Sequence, residues 1–351
     1  MSDAYAGAGV SIDAGNEAVT RYRSLLERNR DPRILEGIGG FGGAFEFRGY
    51  RDPVLVASTD GVGTKVLVAA ELRRFDGVGR DLVQHCINDI LCANAQPLFF
   101  LDYLAVGKLD PDMAEAVVSG IAAACSENGV ALLGGETAEM PGVYTPSHFD
   151  LAGTIVGAVE RDAMIDVSRV VAGDAIVGLP ANGFHTNGYS LVRRAIARER
   201  WDSPLGKKPR TIADALLAVH PSYLPHVRAV QAVGVSIKAM AHITGGGLLD
   251  NVPRVLLEGL AARFVPARWP IPEIERFVVA EARLERDDAY RTFNMGIGFC
   301  MIVSAGDAQK AVRAADAALR EKPIPDLEDA RAFIAGEIEP RHAGGPSVVL
   351  A

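Results

Sequence analysis

The chain has 351 residues, of which 49% are hydrophobic and 23% are charged, and its formal net charge is −8. This length allows two domains of ordinary size. No Lys/Arg-rich segment is present, which argues against a nucleic-acid surface because phosphates are bound by clustered cations. The four cysteines form no C-x-x-C pair, and no segment approaches the ~20 apolar residues of a membrane helix. We therefore expect a cytoplasmic protein without nucleic-acid or membrane partners.

The first half of the chain predicts alternating helices and strands. The predicted helices cover residues 14–27, 78–93 and 111–127, and the predicted strands cover residues 54–57, 98–106 and 130–133. The segment GIGGFGG at residues 37–43 has the form G-x-G-x-x-G, but we expect no strand before it and no helix opening from it, so a dinucleotide-binding loop is not favoured. A loop that closes over a nucleotide is the better hypothesis.

A polar, turn-rich segment near residue 168 separates a second alternating series. Its predicted helices cover residues 189–200, 222–233, 248–257 and 308–320, and its predicted strands cover residues 175–179, 238–243, 299–304 and 332–338. We therefore predict two mixed domains of α/β (α+β) class, residues 1–168 and residues 169–351.

The segment STDGVGTK at residues 58–65 follows a predicted buried strand. It contains the carboxylate of Asp60, two glycines and the cation of Lys65, so a metal ligand, a close backbone approach and a phosphate-directed cation could share one turn. The G-x-x-x-x-G-K-[ST] spacing of a Walker A loop is missing. A simple glycine-rich turn is the alternative.

Further carboxylates occur in apolar surroundings. Asp89 lies on the apolar face of a predicted helix, where a carboxylate needs a cation, a metal or several donors. It is a better ligand candidate than Asp81, which we expect to face solvent. Asp102 lies inside a predicted strand, and Glu136 follows another. Asp60, Asp89 and Glu136 suit Mg²⁺, which prefers hard oxygen ligands. Capping or hydrogen bonding is the alternative for each.

Two loops in the second half precede predicted helices: GFHTNGYS at residues 183–190 and HITGGG at residues 242–247. Free N–H groups at a helix start favour anions, and glycine permits close approach, so both loops are candidate phosphate sites. N-capping by Asn187 or Thr244 is the alternative. Four other histidines show no metal-type spacing and receive no assignment: His85, His148, His220 and His226.

Taken in order, these segments resemble those of the AIR synthetase family. The matching stretches include AGVSIDAGNEAV from residue 8, STDGVGTK, CINDIL, GGETAEMPGVY, HTNGYSLVR, HITGGGLLDNVPR and YRTFNMGIGF from residue 290. Their collinear order identifies the chain as a member of that family. Two small departures are Phe299, where the family pattern has Met, and Thr186, where it has Ser.

The resemblance implies a homodimer whose N-terminal sheets join in a shared barrel, with the active site in a cleft between the domains. It also implies a Mg²⁺- and ATP-dependent ligase of purine biosynthesis. Such an enzyme converts formylglycinamidine ribonucleotide to 5-aminoimidazole ribonucleotide, ADP and phosphate. The formyl oxygen is phosphorylated, and an amidine nitrogen then displaces phosphate from this O-phosphoryl imidate as the ring closes.

On this resemblance we expect Asp60, Asp89 and Glu136 to hold Mg²⁺ with the ATP phosphates, while Lys65 offsets phosphate charge. The other expected nucleotide-binding residues are Gly39, Gly40, Gly42, Gly43 and Asp102. The expected binding residues for the substrate phosphate are Asn187, Thr244, Gly245, Gly246 and Gly247. His185 would take the proton lost on cyclisation, and with Lys65 it forms the expected catalytic pair.

Two other functions are consistent with parts of this pattern. A selenophosphate-synthetase-like or thiamine-monophosphate-kinase-like enzyme would keep the superfamily but change the reaction. The selenide enzyme would need an N-terminal reactive Cys or selenocysteine near the glycine-rich segment, whereas the first cysteine here is Cys86. A catalytically silent scaffold would be expected to lose acidic ligands or Lys65, and these residues are present.

Overall fold

The computed structural model describes residues 11–28, 31–36, 41–206 and 209–351, without the side chains of residues 24–28. The chain forms two compact units, one of Met1–Ile90 with Ala95–Asp162 and one of Leu91–Asn94 with Ala163–Ala351. Each unit contains a sheet with helices, which confirms the predicted mixed α/β class. Among the described helices, none has both the length and the apolar character needed to cross a membrane. The barrel shared with a second subunit stays a prediction.

The described part of the first unit contains a four-stranded sheet and a separate strand pair. The elements are α1 (Ile12–Arg28), β1 (Ile34–Glu36), β2 (Ala44–Phe45), β3 (Pro53–Gly61), α2 (Lys65–Leu72), α3 (Asp76–Leu91), β4 (Gln96–Val106), α4 (Pro111–Glu127), β5 (Ala131–Glu139) and β6 (Phe149–Glu160). The strand order is β3-β6-β4-β5, with β6 antiparallel to both neighbours and β4 parallel to β5. Strands β3, β4 and β5 therefore run in one direction and end at the same edge of the sheet.

The two faces of this sheet differ in burial. On one face Phe100 and Ile155 are fully buried, and Leu82 of α3 packs there as well. A Cβ at Gly153 would collide with the Phe100 ring, so glycine allows that ring to lie flat over β6. On the other face Leu101 is 36% exposed and Leu55 is 61% exposed. The second face therefore keeps large apolar side chains accessible.

The strand pair β1 and β2 corrects one expectation about the glycine-rich segment. We expected no strand before GIGGFGG, but β1 ends at Glu36, directly before it, and pairs antiparallel with β2. A three-residue strand is too short to show an alternating pattern. Strand β2 follows the segment, so the segment connects two antiparallel strands. A dinucleotide-binding loop would connect a strand to a helix. Gly39 and Gly40 lie outside the described residues.

The described part of the second unit contains a six-stranded sheet of order β12-β9-β11-β7-β10-β8. The elements are β7 (Ala175–Pro180), α5 (Tyr189–Ala195), α6 (Ile212–Leu216), α7 (Leu224–Ala232), β8 (Ile237–His242), α8 (Gly247–Asn251), β9 (Leu260–Phe264), α9 (Glu273–Ala282), α10 (Arg286–Thr292), β10 (Ile297–Val303), α11 (Ala308–Glu321), β11 (Phe333–Pro340) and β12 (Val348–Leu350). The predicted helix at residues 248–257 is shorter in the structure because a 3₁₀ turn, Val252–Val255, replaces its end. Pro253 lies in that turn and supplies no N–H for an α-helical bond.

Candidate functional site

An acidic cluster in the first unit contains Asp60, Asp89 and His85. The Nε2 atom of His85 lies 2.8 Å from Asp60 Oδ2 and 3.8 Å from Asp89 Oδ2. The hydroxyl of Ser58 donates a hydrogen bond of 2.9 Å to Asp89 Oδ2. One candidate metal-ligand atom from each of the three residues lies within 4.8 Å of the others. The structure therefore brings together two of the three predicted magnesium ligands.

Local geometry explains how these side chains meet. Asp60 and Ser58 are two residues apart on β3, so their side chains point to the same face of the sheet. His85 and Asp89 are four residues apart on α3, so they lie one turn apart on the same helix face. The helix face and the strand end thus converge on one point, where both carboxylates remain partly accessible, at 47% for Asp60 and 26% for Asp89.

His85 controls the charge state of this cluster. Burial alone would raise the pKa of Asp60, but the hydrogen bond and charge of His85 outweigh it and hold that pKa below its usual value. Burial alone would lower the pKa of His85, but the hydrogen bond to Asp60 and the nearby carboxylates raise it. The cluster therefore favours an ionised Asp60 paired with a protonated His85. No sequence spacing signals this role, because Asp60 and His85 come from different elements.

The donor set fits a magnesium ion. Mg²⁺ takes hard oxygen ligands and typically binds one or two carboxylates together with water and nucleotide phosphates. Asp60 and Asp89 supply two carboxylates in reach of each other, and both are accessible from outside the unit. An imidazole is a poorer magnesium ligand. His85 is thus better suited to hold the carboxylates than to bind the ion.

Glu136 lies apart from this cluster. Along the sheet, Asp60 pairs with Gly153, Gly153 pairs with Asp102, and Asp102 pairs with Gly135. Directly paired residues share a face, and the next residue along a strand points to the opposite face. Glu136 therefore points away from the face that carries Asp60. Within this unit the structure does not assemble the predicted set of three carboxylates.

Asp102 shares the sheet face of Asp60 but is separated from it by β6. Two strand spacings put the two backbones about 10 Å apart. Burial raises the pKa of Asp102 to about 7. Its carboxyl lies over Gly135, where any Cβ would collide with it. Asp102 is thus a separate carboxyl group, and its nucleotide contact stays a prediction.

Lys65 forms a buried ion pair with Asp81. Its Nζ lies 2.7 Å from Asp81 Oδ2, and both side chains are fully buried. The expectation that Asp81 faces solvent is therefore wrong, because α3 is buried on more sides than its apolar spacing indicates. Burial lowers the pKa of Lys65 and the charge of Asp81 opposes that effect. In this arrangement Lys65 neutralises Asp81, and its contact with phosphate stays a prediction.

We predict that the interaction between His85 and Asp60 stabilises the folded protein only within a limited pH range. The pKa of Asp60 is lowered, so its contribution is present above about pH 4 and is lost as the pH falls through the folded pKa. The pKa of His85 is raised, so its contribution is present below about pH 6.5 and is lost as the pH rises through the folded pKa. We expect His85→Gln to lower the free energy of unfolding most inside this window. Urea unfolding without Mg²⁺ at about pH 5.5 and about pH 8.5 measures it, and equal losses at both values would contradict it.

The glycine loop at residues 244–247 is the clearest built loop of the second unit. Gly246 and Gly247 have φ values of 95° and 56°, which favour glycine. Asn251 holds the loop from below, since its Nδ2 donates to the carbonyls of Gly247 at 2.8 Å and Gly245 at 3.1 Å. The hydroxyl of Thr244 donates to Asn251 Oδ1 at 3.3 Å. Asn251 is an organising residue that sequence reasoning missed, although it lies only four residues after the motif.

Two other predicted substrate-side residues lie in the same unit. The Oδ1 atom of Asn187 is 3.5 Å from the position that a Cβ on Gly245 would occupy, so the two predicted phosphate loops touch. His185 is 1% exposed and adopts a φ of 59°, a left-handed conformation unusual for a residue with a side chain. The helices after the loops, α5 and α8, have only seven and five residues. Any anion site here would therefore rely on loop amides more than on a helix dipole.

Gly42 and Gly43 are the described part of the predicted nucleotide loop. A Cβ on Gly43 would lie 2.9 Å from the backbone oxygen of Leu133, so this glycine permits close approach to β5. A Cβ on Gly42 would meet nothing within 4 Å. Gly43 thus has a packing role of its own, and the role of the loop in covering a nucleotide stays a prediction.

Comparison with known structures shows the fold. Thiamine-monophosphate kinase from Stenotrophomonas maltophilia K279a is 20% identical, with a TM-score of 0.65 and coverage of 95% of both chains. The hydrogenase maturation protein HypE in complex with ATP is 19% identical, with a TM-score of 0.64 and coverage of 95% of this chain and 90% of that chain. At such identities the likeness concerns the fold alone.

Comparison of sequences is more specific. Residues 47–159 match the N-terminal domain of AIR synthase related proteins, and residues 171–322 match the C-terminal domain. A phosphoribosylformylglycinamidine cyclo-ligase from Aromatoleum aromaticum is 49% identical over 316 residues, which are 90% of this chain and 91% of that protein. Its counterpart from Methylobacillus flagellatus is 46% identical over 351 residues, which are 99% of this chain and 98% of that protein. The chain therefore belongs to the phosphoribosylformylglycinamidine cyclo-ligase family of AIR synthase related proteins.

Proposed function

We propose that this protein closes the imidazole ring of purine biosynthesis. It converts formylglycinamidine ribonucleotide and ATP to 5-aminoimidazole ribonucleotide, ADP and phosphate. The observation that carries this proposal is the identity of 46–49% with cyclo-ligases along nearly the full length of both chains. The accessible carboxylates of Asp60 and Asp89 support it, because they supply the kind of ligands that a magnesium nucleotide needs.

The first unit provides the proposed metal and nucleotide site. Asp60 and Asp89 would hold Mg²⁺, which would supply neutralising charge for the ATP phosphates. Ser58 and His85 orient the two carboxylates before the nucleotide arrives, since each already contacts one of them. This preorganisation matters because phosphoryl transfer depends mainly on positioning and electrostatic stabilisation. The proposed metal and nucleotide site also includes other residues: Lys65, Asp102, Glu136 and the glycines of residues 39–43.

The second unit provides the proposed substrate side. The amides of the glycine loop, with Asn187 and Thr244, would bind the ribose phosphate. Once ATP has phosphorylated the formyl oxygen, the amidine nitrogen forms a bond to the formyl carbon, and the bond from that carbon to the phosphorylated oxygen breaks. Phosphate leaves with the electron pair. His185 accepts the proton that the attacking nitrogen loses.

The proposal also covers the cellular location, the oligomeric state, the partners and the roles of the two domains. We propose a cytoplasmic homodimer, in keeping with the lack of disulfides among the described residues. The partners are the ribonucleotide substrate and a second copy of the chain, with neither nucleic acid nor membrane involved. Residues 1–168 would form the nucleotide domain, and residues 169–351 would form the substrate domain.

A direct assay tests the proposed reaction. Purified protein is supplied with formylglycinamidine ribonucleotide, ATP and Mg²⁺, and both ADP and a diazotisable aminoimidazole are measured. We expect the two products in equal amounts and neither when the ribonucleotide is left out. Release of ADP without the aminoimidazole would mean that the protein transfers phosphate to another acceptor, as a kinase does.

The glycine loop predicts a selective change in substrate binding. Asn251→Ala removes the side chain that holds the carbonyls of Gly245 and Gly247. We expect the KM for the ribonucleotide to rise about tenfold or more, because lost loop order removes about one charge-assisted hydrogen bond to phosphate. The KM for ATP serves as the internal control and should change less. Equal increases in both KM values would contradict a substrate-side role for this loop.

A further inference from the structure

Three buried histidines lie close together in the second unit. The proposed reaction gives a role to His185 only and leaves the other two without one. His185, His220 and His242 are 1%, 0% and 6% exposed. The Nε2 atoms of His220 and His242 are 3.1 Å apart. The rings of His185 and His220 are stacked, with centroids 4.1 Å apart and planes inclined by 20°. The residues come from three separate segments, so the cluster exists only in the folded chain.

The ring geometry does not suit a shared metal ion. Three imidazoles are a familiar zinc donor set, and the rings here are neighbours, with centroids 4.1 Å apart for His185 and His220 and 5.1 Å apart for His220 and His242. A bound metal, however, lies in the plane of each imidazole that ligates it. The nearly parallel planes of His185 and His220 do not meet near the rings. The contact between His220 and His242 has the length of an N–H···N hydrogen bond, which occupies the lone pair that a metal would need.

The same geometry allows His220 and His242 to hold the ring of His185 in place as a proton acceptor. In the bond between His220 and His242 one nitrogen donates and the other accepts, so this contact is made with at least one ring neutral. A neutral His220 presents its π-face to His185, and such a face attracts a cation. A proton gained by His185 would therefore meet a favourable neighbour, whereas a charged His220 would repel it.

The backbone around His185 indicates that its surroundings impose its position. Its φ of 59° is disfavoured for a residue with a side chain and persists where neighbouring groups determine the conformation. Gly298 leaves room for the ring, because a Cβ there would lie 2.6 Å from His185 Cε1. His242 ends β8 beside β10, which carries Gly298. The sheet edge and the loop thus enclose the imidazole on several sides.

We propose that His220 and His242 are positioning residues for His185, an inference that rests on the proposed function. The hydrogen-bonded pair holds the His185 ring by stacking and stabilises the imidazolium formed when the ring nitrogen accepts the amidine proton during cyclisation. The proton passes from the attacking nitrogen to His185 and is later lost to water. His220 and His242 gain and lose no proton in this sequence.

Two substitutions separate the parts of this role. His220→Phe keeps a ring against His185 but removes the hydrogen bond to His242, and His220→Gln keeps hydrogen-bonding groups but removes the ring. We expect each variant to lower kcat by about 10-fold to 100-fold, while the KM values stay within about threefold, because misplacement of a proton acceptor acts on the chemical step. The matched control is His226→Gln. His226 is also buried in this unit but bonds to the Lys322 carbonyl, outside the cluster.

A structural role alone predicts a different outcome. It would lower the melting temperature of the His220 variants and of the control alike, with kcat per folded molecule unchanged in all of them, and this result would overturn the proposal. A zinc content near one per chain, lost in His220→Gln, would also overturn it in favour of a metal site. Each variant is therefore assayed with its folded fraction and its metal content measured.

NMR measurements on the histidine rings test this inference without relying on enzyme activity. In protein labelled with ¹⁵N at histidine, the ring nitrogen shifts report the protonation and tautomer of each histidine. We expect His220→Phe to change the signals of both His185 and His242, and His226→Gln to leave them unchanged. If the wild type forms no aminoimidazole, the proposed function fails by itself. Unchanged His185 signals in His220→Phe would overturn the positioning role whether or not the enzyme is active.

Discussion

Asp89→Asn is expected to reduce turnover by about 10²-fold to 10³-fold, the largest catalytic loss that we predict for this protein. The substitution keeps the size of the side chain and its contact with Ser58, but it removes one of the two charges facing the proposed magnesium nucleotide. The apparent affinity for Mg²⁺ in the presence of ATP should fall as well. Initial rates measured over a range of Mg²⁺ concentrations determine both quantities.

The control for this variant is Asp162→Asn in the same unit. Asp162 is 73% exposed and forms a surface ion pair with Arg51, so its removal should leave turnover and folding nearly unchanged. Thermal unfolding distinguishes lost chemistry from lost structure in Asp89→Asn. A folded Asp89→Asn variant with wild-type turnover and Mg²⁺ dependence would remove Asp89 from the metal site.

Replacement of one member of the buried pair, by Lys65→Met or Asp81→Leu, is expected to lower the free energy of unfolding by about 3–5 kcal/mol. Each change leaves a charged or polar group without its main counter-charge in a fully buried position. The pair joins the start of α2 to α3, and α3 carries His85 and Asp89. Urea unfolding measures the loss, and a smaller m value would indicate that the native unit has loosened.

The double variant Lys65→Met/Asp81→Leu is the control for this prediction. It removes both charges and fills the same space with apolar atoms, so most of the lost stability should return. Single losses below about 1 kcal/mol would mean that the pair behaves as a surface pair does. The double variant also tests the predicted contact of Lys65 with phosphate. If it folds and keeps the wild-type KM for ATP, that contact is absent.

Local patterns predicted much of the fold. The helices at α3 and α4 and the strand β4 were expected within a few residues, because their apolar spacing reflects one buried face. Strand β6 was missed, although it is central in its sheet. Its sequence FDLAGTIVGAVE contains two glycines, which weaken a strand pattern, but here Gly153 makes room for the Phe100 ring and Gly157 makes room for the Gln96 carbonyl and the Ile90 side chain. The need for those glycines lies in packing and not in local conformation.

The sequence also revealed some features of the candidate site, while others became visible only in the structure. Asp60, Asp89 and the glycine loop were recognisable because their motifs are continuous along the chain. The sequence alone could not show that Glu136 faces away from Asp60, since the face depends on the register of β4 and β5. It also could not show that Asp81 is buried against Lys65, since that burial requires α2 and α3 to pack together.

The sequence by itself determined the family, the mixed α/β class and the acidic and glycine-rich segments of the proposed site, because each of these depends on residues that are neighbours along the chain. Only the tertiary structure decided which side chains act together. His85 between two carboxylates, and His220 between His185 and His242, are contacts across separate elements. Such contacts depend on helix packing and strand register, which no short segment encodes alone.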